Sequence, residues 1–127
     1  MVGIDTNLLA RFLIKDIEEQ AELVAKLIED GKELYINQVV LSELSWVLLK
    51  IYNYPKIEFI SVLDTLFETK GFYFFDQEVV KLTIEDYINS SADFNDCLIH
   101  QINRKERLIT YTFDKKASNL KQMKLLD

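Results

Sequence analysis

One cysteine, one proline, one histidine, one tryptophan and three glycines are all that this 127-residue chain holds of those types. Each scarcity excludes something. A lone Cys97 cannot build a disulfide framework, and its place in an apolar helical pattern marks it as a buried thiol. A lone His100 leaves no zinc site built on several imidazoles. With one Pro and few Gly there is no linker and no low-complexity tract, and no internal repeat is visible, so residues 1–127 are expected to form a single domain large enough to bury its own core. The opening MVGIDTN has neither a basic leader nor a long apolar run, which predicts no signal peptide, no membrane span and a cytoplasmic location.

What is present is apolar and acidic. Hydrophobic residues make up 49%, with eight Phe and six Tyr, a composition that folds rather than one that stays disordered. The formal net charge is −6, unfavourable at first sight for a nucleic-acid partner. The charge is unevenly spread, however: residues 1–103 carry 8 basic and 18 acidic side chains, residues 104–127 carry 7 basic and 3 acidic. The basic end includes Arg104, Lys115 and Lys116, which are candidates for phosphate contacts; a solvated helical surface is the plain alternative.

Short apolar runs alternate with amphipathic segments. Strands are predicted at residues 1–4, 33–36, 72–75 and 107–112, and helices from Leu8, over 17–29, from Asn37 to the break at Asn53 and Pro55, over 57–68, over 79–88, and from about Asp93. This alternation predicts an α/β domain with a mostly parallel central sheet of four to five strands flanked by helices. Ligands in such sheets bind beyond the carboxyl ends of the strands, where Asp5 and Asp114 both lie; they meet there if the first and fourth strands are neighbours.

Four acids, Asp5, Glu43, Asp96 and Asp114, stand where an apolar strand or amphipathic helix begins, ends or turns. A carboxylate at the edge of an apolar core is costly without a partner, and nearby cations are few. Each acid also has a structural explanation. Asp5-Thr6-Asn7 are all good N-caps. Asp93 can cap its helix with Asp96 three residues later, although Asp is shorter than the Glu a capping box prefers, and His100 one turn on can hydrogen-bond to Asp96. Glu43 is flanked by Val40, Leu44 and Val47, which places its carboxylate close to the buried stripe. Trp46 and the Tyr and Phe residues fit core or interface packing better than base stacking. As a set, the acids form an all-oxygen donor group suited to Mg²⁺ or Mn²⁺ and to phosphodiester hydrolysis.

At GIDTN (3–7), SEL (42–44), ADFNDCLIH (92–100) and TYTFDKKA (110–117) the chain resembles the PIN domain family, and within it the small VapC-type ribonuclease toxins. The four motifs occur in order over nearly the whole chain. The resemblance implies a PIN-like fold and an acidic Mg²⁺ or Mn²⁺ site made by Asp5, Glu43, Asp96 and Asp114, with Asp93 as an additional metal-holding acid and Thr6, Asn7 and Thr112 in support. It further implies cleavage of an RNA substrate, a homodimer, and inhibition by a cognate VapB-like antitoxin. Two other classes compete: a non-catalytic PIN-fold module that binds RNA or protein, and a Mg²⁺-dependent phosphotransfer domain. The dehalogenase form of the latter needs an acid two residues after Asp5, where Asn7 stands.

Overall fold

The computed structural model describes residues 1–127, which form two compact units, Met1–Phe75 and Asp76–Asp127. In the first unit, β1 (Val2–Gly3) leads through Ile4 into α1 (Thr6–Ile14), and α2 (Glu18–Glu29) follows a left-handed turn at Lys15. Glu18 and Glu19 lie in the first turn of α2, where the exposed N–H groups favour negative charge. Next come β2 (Leu34–Ile36), α3 (Gln38–Trp46) continued by a π-helical turn (Val47–Ile51), α4 (Lys56–Glu68) and β3 (Phe72–Phe74). The helical run from α3 stops at Asn53, which takes a left-handed backbone, and α4 restarts immediately after Pro55.

The three strands pair in parallel in the order β1-β2-β3, with Val2 opposite Leu34 and Leu34 opposite Phe72. Leu34 and Ile36 are completely buried and form one core with Leu9, Leu41, Leu44, Leu48, Phe59 and Leu63. Each such side chain contributes about 1.5–3 kcal/mol by leaving water. Gly71 precedes β3 with φ +106°, and a Cβ there would come within 2.9 Å of Ile28 Cγ2, so the close approach of α2 to this turn requires glycine.

In the second unit α5 (Gln77–Ile88) packs on α6 (Phe94–Lys105) through an edge-on Tyr87–Phe94 contact with ring centroids 5.5 Å apart. Asp76 caps α5 by accepting from the Val79 N–H and also receives the Lys105 ammonium. Gln101 Nε2 donates to Asp86 Oδ2 at 2.6 Å, joining the two helices a second time. β4 (Thr110–Thr112) and β5 (Met123–Leu125) form a parallel pair around a 3₁₀ turn at Ala117–Asn119. Cys97 is fully buried, as expected.

The architecture is the expected α/β one, six helices with five strands paired only in parallel. The strands are held as a three-stranded and a two-stranded ladder. The fourth strand begins three residues later than its β-branched pattern suggests. Arg107 is left-handed, and the N–H groups of Arg107 and Leu108 return to the carbonyls of Arg104 and Asn103, so 106–108 is spent closing α6. No helix is long and apolar enough to cross a membrane.

Candidate functional site

In the first unit the Asp5 backbone is extended (φ −93°, ψ 172°) as the chain leaves β1, and its Oδ1 accepts from the Leu8 N–H at 2.8 Å. Asp5 is therefore the N-cap of α1. Capping engages one carboxylate oxygen and fixes the plane of the group; Oδ2 has no part in it. Glu43 comes from α3, whose start is set by Asn37 accepting from the Val40 N–H at 2.8 Å. Asp5, Thr6, Asn7 and Arg11 from α1, with Glu43 and Tyr52 from α3 and its continuation, border one concavity of about 440 Å³. Thr6 Oγ1 is buried without a hydrogen-bond partner, so its hydroxyl is available to orient a bound group.

Glu43 departs from expectation. It is exposed rather than held against the buried stripe, because that stripe runs through Val40, Leu41, Leu44 and Leu48, and Glu43 falls on the side facing the concavity. Trp46 and Tyr52 are also exposed, at 56% and 42%, so of the expected core or interface packing the core is excluded for these two.

Arg11 and Tyr52 were given no role by the sequence. Arg11 Nη1 donates to Asp16 Oδ1 and Oδ2 at 2.9 and 2.7 Å, and this bond to Asp16 raises the guanidinium pKa further, with the Tyr52 hydroxyl as a weaker partner. The available signal was that Arg11 is the first cationic side chain of the sequence, six residues after Asp5.

In the second unit Asp93 occupies the N-cap position of α6 but makes no side-chain cap bond, so capping does not account for its carboxylate. Asp96 follows in the first turn and is half-buried. Burial, and then the charges of Asp114 and Asp93, push the Asp96 carboxyl above the ordinary aspartate range. Asp114 leaves β4 much as Asp5 leaves β1. Its Oδ1 accepts from the N–H groups of Lys116 and Ala117 at 2.8 and 3.1 Å, and its own N–H donates to Thr112 Oγ1 at 3.0 Å.

His100 does not hydrogen-bond to Asp96. It is 1% exposed and neither ring nitrogen has a partner, so its pKa is lowered by burial, against a weaker opposing effect of the Lys121 backbone. Lys115 and Lys116 are exposed directly after Asp114. Arg104 is two turns beyond Asp96, about 12 Å along α6, and borders a separate concavity with Asp76, Glu78, Gln101 and Lys105.

Asp5 and Glu43 thus border one concavity in the first unit, and the charges of Asp114 and Asp93 act on Asp96 in the second. Asp5 follows a strand of the three-stranded ladder and Asp114 a strand of the two-stranded ladder. Within neither unit are three or more His, Cys, Asp or Glu side chains close enough to hold an ion by themselves. The donor chemistry nevertheless fits a hard divalent cation. The accessible groups are carboxylate oxygens, two of them already oriented by backbone N–H groups, whereas the softer ligands Cys97 and His100 are buried. A family model described as the PIN domain matches residues 2–123. Comparison with curated proteins gives no match.

Proposed function

The chain belongs to the PIN domain family, whose members are commonly metal-dependent nucleases, and from that premise we propose that it hydrolyses RNA phosphodiester bonds with Mg²⁺ or Mn²⁺ as the toxin of a type II toxin–antitoxin pair. One observation supports this most. Asp5 and Asp114 each follow a strand, each is pinned through Oδ1 by backbone N–H groups, and each keeps its second oxygen out of the cap. Capping accounts for the Oδ1 bond of Asp5, and the same kind of bond leaves each carboxylate oriented with one oxygen to spare, as a metal ligand needs.

Asp5 and Glu43 in the first unit, and Asp96 and Asp114 with Asp93 in the second, are the proposed metal-holding and catalytic carboxylates. When bound, the ion supplies a Lewis acid for a phosphoryl oxygen and lowers the pKa of a bound water. Thr6 and Asn7 border the first pair and orient substrate or water, and Thr112 holds the Asp114 backbone. Lys115 and Lys116 supply phosphate contacts, and Arg104 a more distant one. The raised pKa of Asp96 belongs to the metal-free protein, and a bound cation would favour its ionised form.

A cognate antitoxin and a homodimer are part of the same proposal. Incubation of the purified protein with mixed RNAs, with Mg²⁺ and then with excess EDTA, tests the activity: cleavage must appear with the ion and stop with the chelator. Light scattering reads the dimer, and growth of cells expressing the chain alone reads toxicity. The second reading, a PIN module that binds RNA or protein without cutting it, is favoured by the lack of a three-ligand cluster in either unit. It predicts RNA binding with no Mn²⁺ dependence.

A further inference from the structure

The concavity that holds Asp5 and Glu43 has an aromatic side that a metal site does not need. Beside Asp5, Thr6, Asn7, Arg11 and Glu43, its lining has an apolar part at Ala10, Val47 and Ile51 and includes Tyr52. Tyr52 is there because of the π-helical turn. Its N–H donates to the Val47 carbonyl, five residues back, at 3.0 Å, so the wider turn brings Tyr52 round to the side already occupied by Val47. In a regular α-helix residue 51 would share that side with Val47 and residue 52 would point away.

Beside Tyr52 the Arg11 guanidinium, which also lines the concavity, is anchored on both oxygens of Asp16. Tyr52 is 42% exposed, and a tyrosine side chain has only two rotatable angles to fix when a base stacks on it. The volume, about 440 Å³, lies within the range of small-ligand clefts, roughly 300–1,000 Å³.

We infer that this concavity is a base-binding subsite in which one unpaired nucleobase stacks on Tyr52 over Val47 and Ile51, with its sugar-phosphate directed toward Asp5 and Glu43. The subsite rests on the nuclease reading for its biological meaning and names the substrate class: a single-stranded segment, since a base held in a duplex cannot enter a one-sided aromatic cleft. Base–aromatic stacking tolerates any base, so the subsite selects for unpaired structure more than for sequence. Tyr52 is the specificity-determining residue of this subsite.

The test uses a single-stranded oligoribonucleotide carrying 2-aminopurine, whose emission is quenched when the base stacks. It is titrated in Mn²⁺ against Asp5→Asn protein, which leaves the strand intact, and against the same protein with Tyr52→Phe, Tyr52→Leu or Tyr52→Ala added. The Phe variant should keep the quench and the affinity. Leu, which fills the space without a π-face, and Ala should lose the quench and weaken binding by roughly tenfold. A duplex version of the probe should not be quenched by any of them. Equal quenching by the Tyr and Leu proteins overturns the subsite, as does a Phe variant as defective as Ala, which would reduce Tyr52 to a hydroxyl partner of Arg11. Circular dichroism of each variant guards against unfolding, and Leu and Phe keep the test decisive should Ala not fold. Cleavage of the unlabelled strand by wild-type protein is scored separately: its absence removes the nuclease reading, while the quench still decides the subsite.

Discussion

The charge of Asp114 disfavours ionisation of Asp96, adding to burial in raising the Asp96 pKa. An acid whose pKa is higher in the folded than in the unfolded state binds its proton more tightly when folded. Its contribution is therefore most favourable below the unfolded pKa and is lost as the pH rises through the folded one. In metal-free protein Asp96→Asn should raise the melting temperature at pH 7 and change it little near pH 3, where the Asp96 carboxyl is largely protonated. Mg²⁺ should narrow the gap at pH 7. Thermal melts at the two pH values in EDTA and in Mg²⁺ check this, and an Asn variant less stable than wild type at pH 7 in EDTA would contradict the repulsion.

Asp5 has two duties that substitution can separate. Asn caps a helix as well as Asp does, so Asp5→Asn should keep α1 and the fold while removing the charge. Asp5→Ala removes the cap as well and should cost about 1 kcal/mol more stability. Both should lower single-turnover RNA cleavage in Mn²⁺ by roughly a hundredfold or more, corresponding to several kcal/mol of transition-state stabilisation. Urea melts alongside the cleavage assay distinguish the two duties; full activity in the Asn variant would sink the metal-nuclease mechanism.

The elements were largely legible because most of them announce their ends. Asp5, Asn37 and Asp76 cap helices with their side chains, Pro55 and Asn53 mark a break, and Gly71 marks a tight turn. β5 was not legible: Met123–Leu125 is three residues beside several lysines, with no β-branched side chain to mark it. The π-helical turn was hidden too, since one extra residue in a single turn hardly disturbs a pattern of Val47, Leu48 and Ile51. That missed turn is why Tyr52 was assigned to packing. The order of the acids along the chain was plain, but their local partners were not. Sequence spacing put Glu43 beside the buried stripe and His100 beside Asp96, whereas side-chain direction turned Glu43 outward and His100 inward.

His100 makes the second unit sensitive to acid. Burial lowers the His100 pKa more strongly than the Lys121 backbone and then Asp86 raise it, which favours the neutral ring in the fold. A base with a depressed folded pKa loses stability as the pH falls below its unfolded pKa, near 6.5, because the unfolded chain takes up a proton that the fold refuses. The loss is bounded at about 1.4 kcal/mol per pH unit. Urea denaturation between pH 7.5 and 5 should show wild type weakening more steeply than His100→Leu; parallel curves would show that His100 is protonated without cost.

The phosphate contacts proposed for Lys115 and Lys116 would use their side chains alone. The bonds that shape the turn after Asp114 use the backbone N–H groups of Lys116 and Ala117, which an alanine at position 115 or 116 retains. Both ammonium groups extend from exposed positions on the segment that also fixes the Asp114 carboxylate. Replacing the pair by Ala should therefore leave the fold intact and weaken RNA binding about equally for unrelated sequences. If each lysine neutralises one phosphate of a single strand, the log–log salt slope should fall in magnitude by about 1.4 for the pair. Fluorescence anisotropy of two dissimilar single-stranded RNAs over a salt series measures both quantities. A change confined to one RNA would mean base readout, and an unchanged slope would return these lysines to the solvated surface.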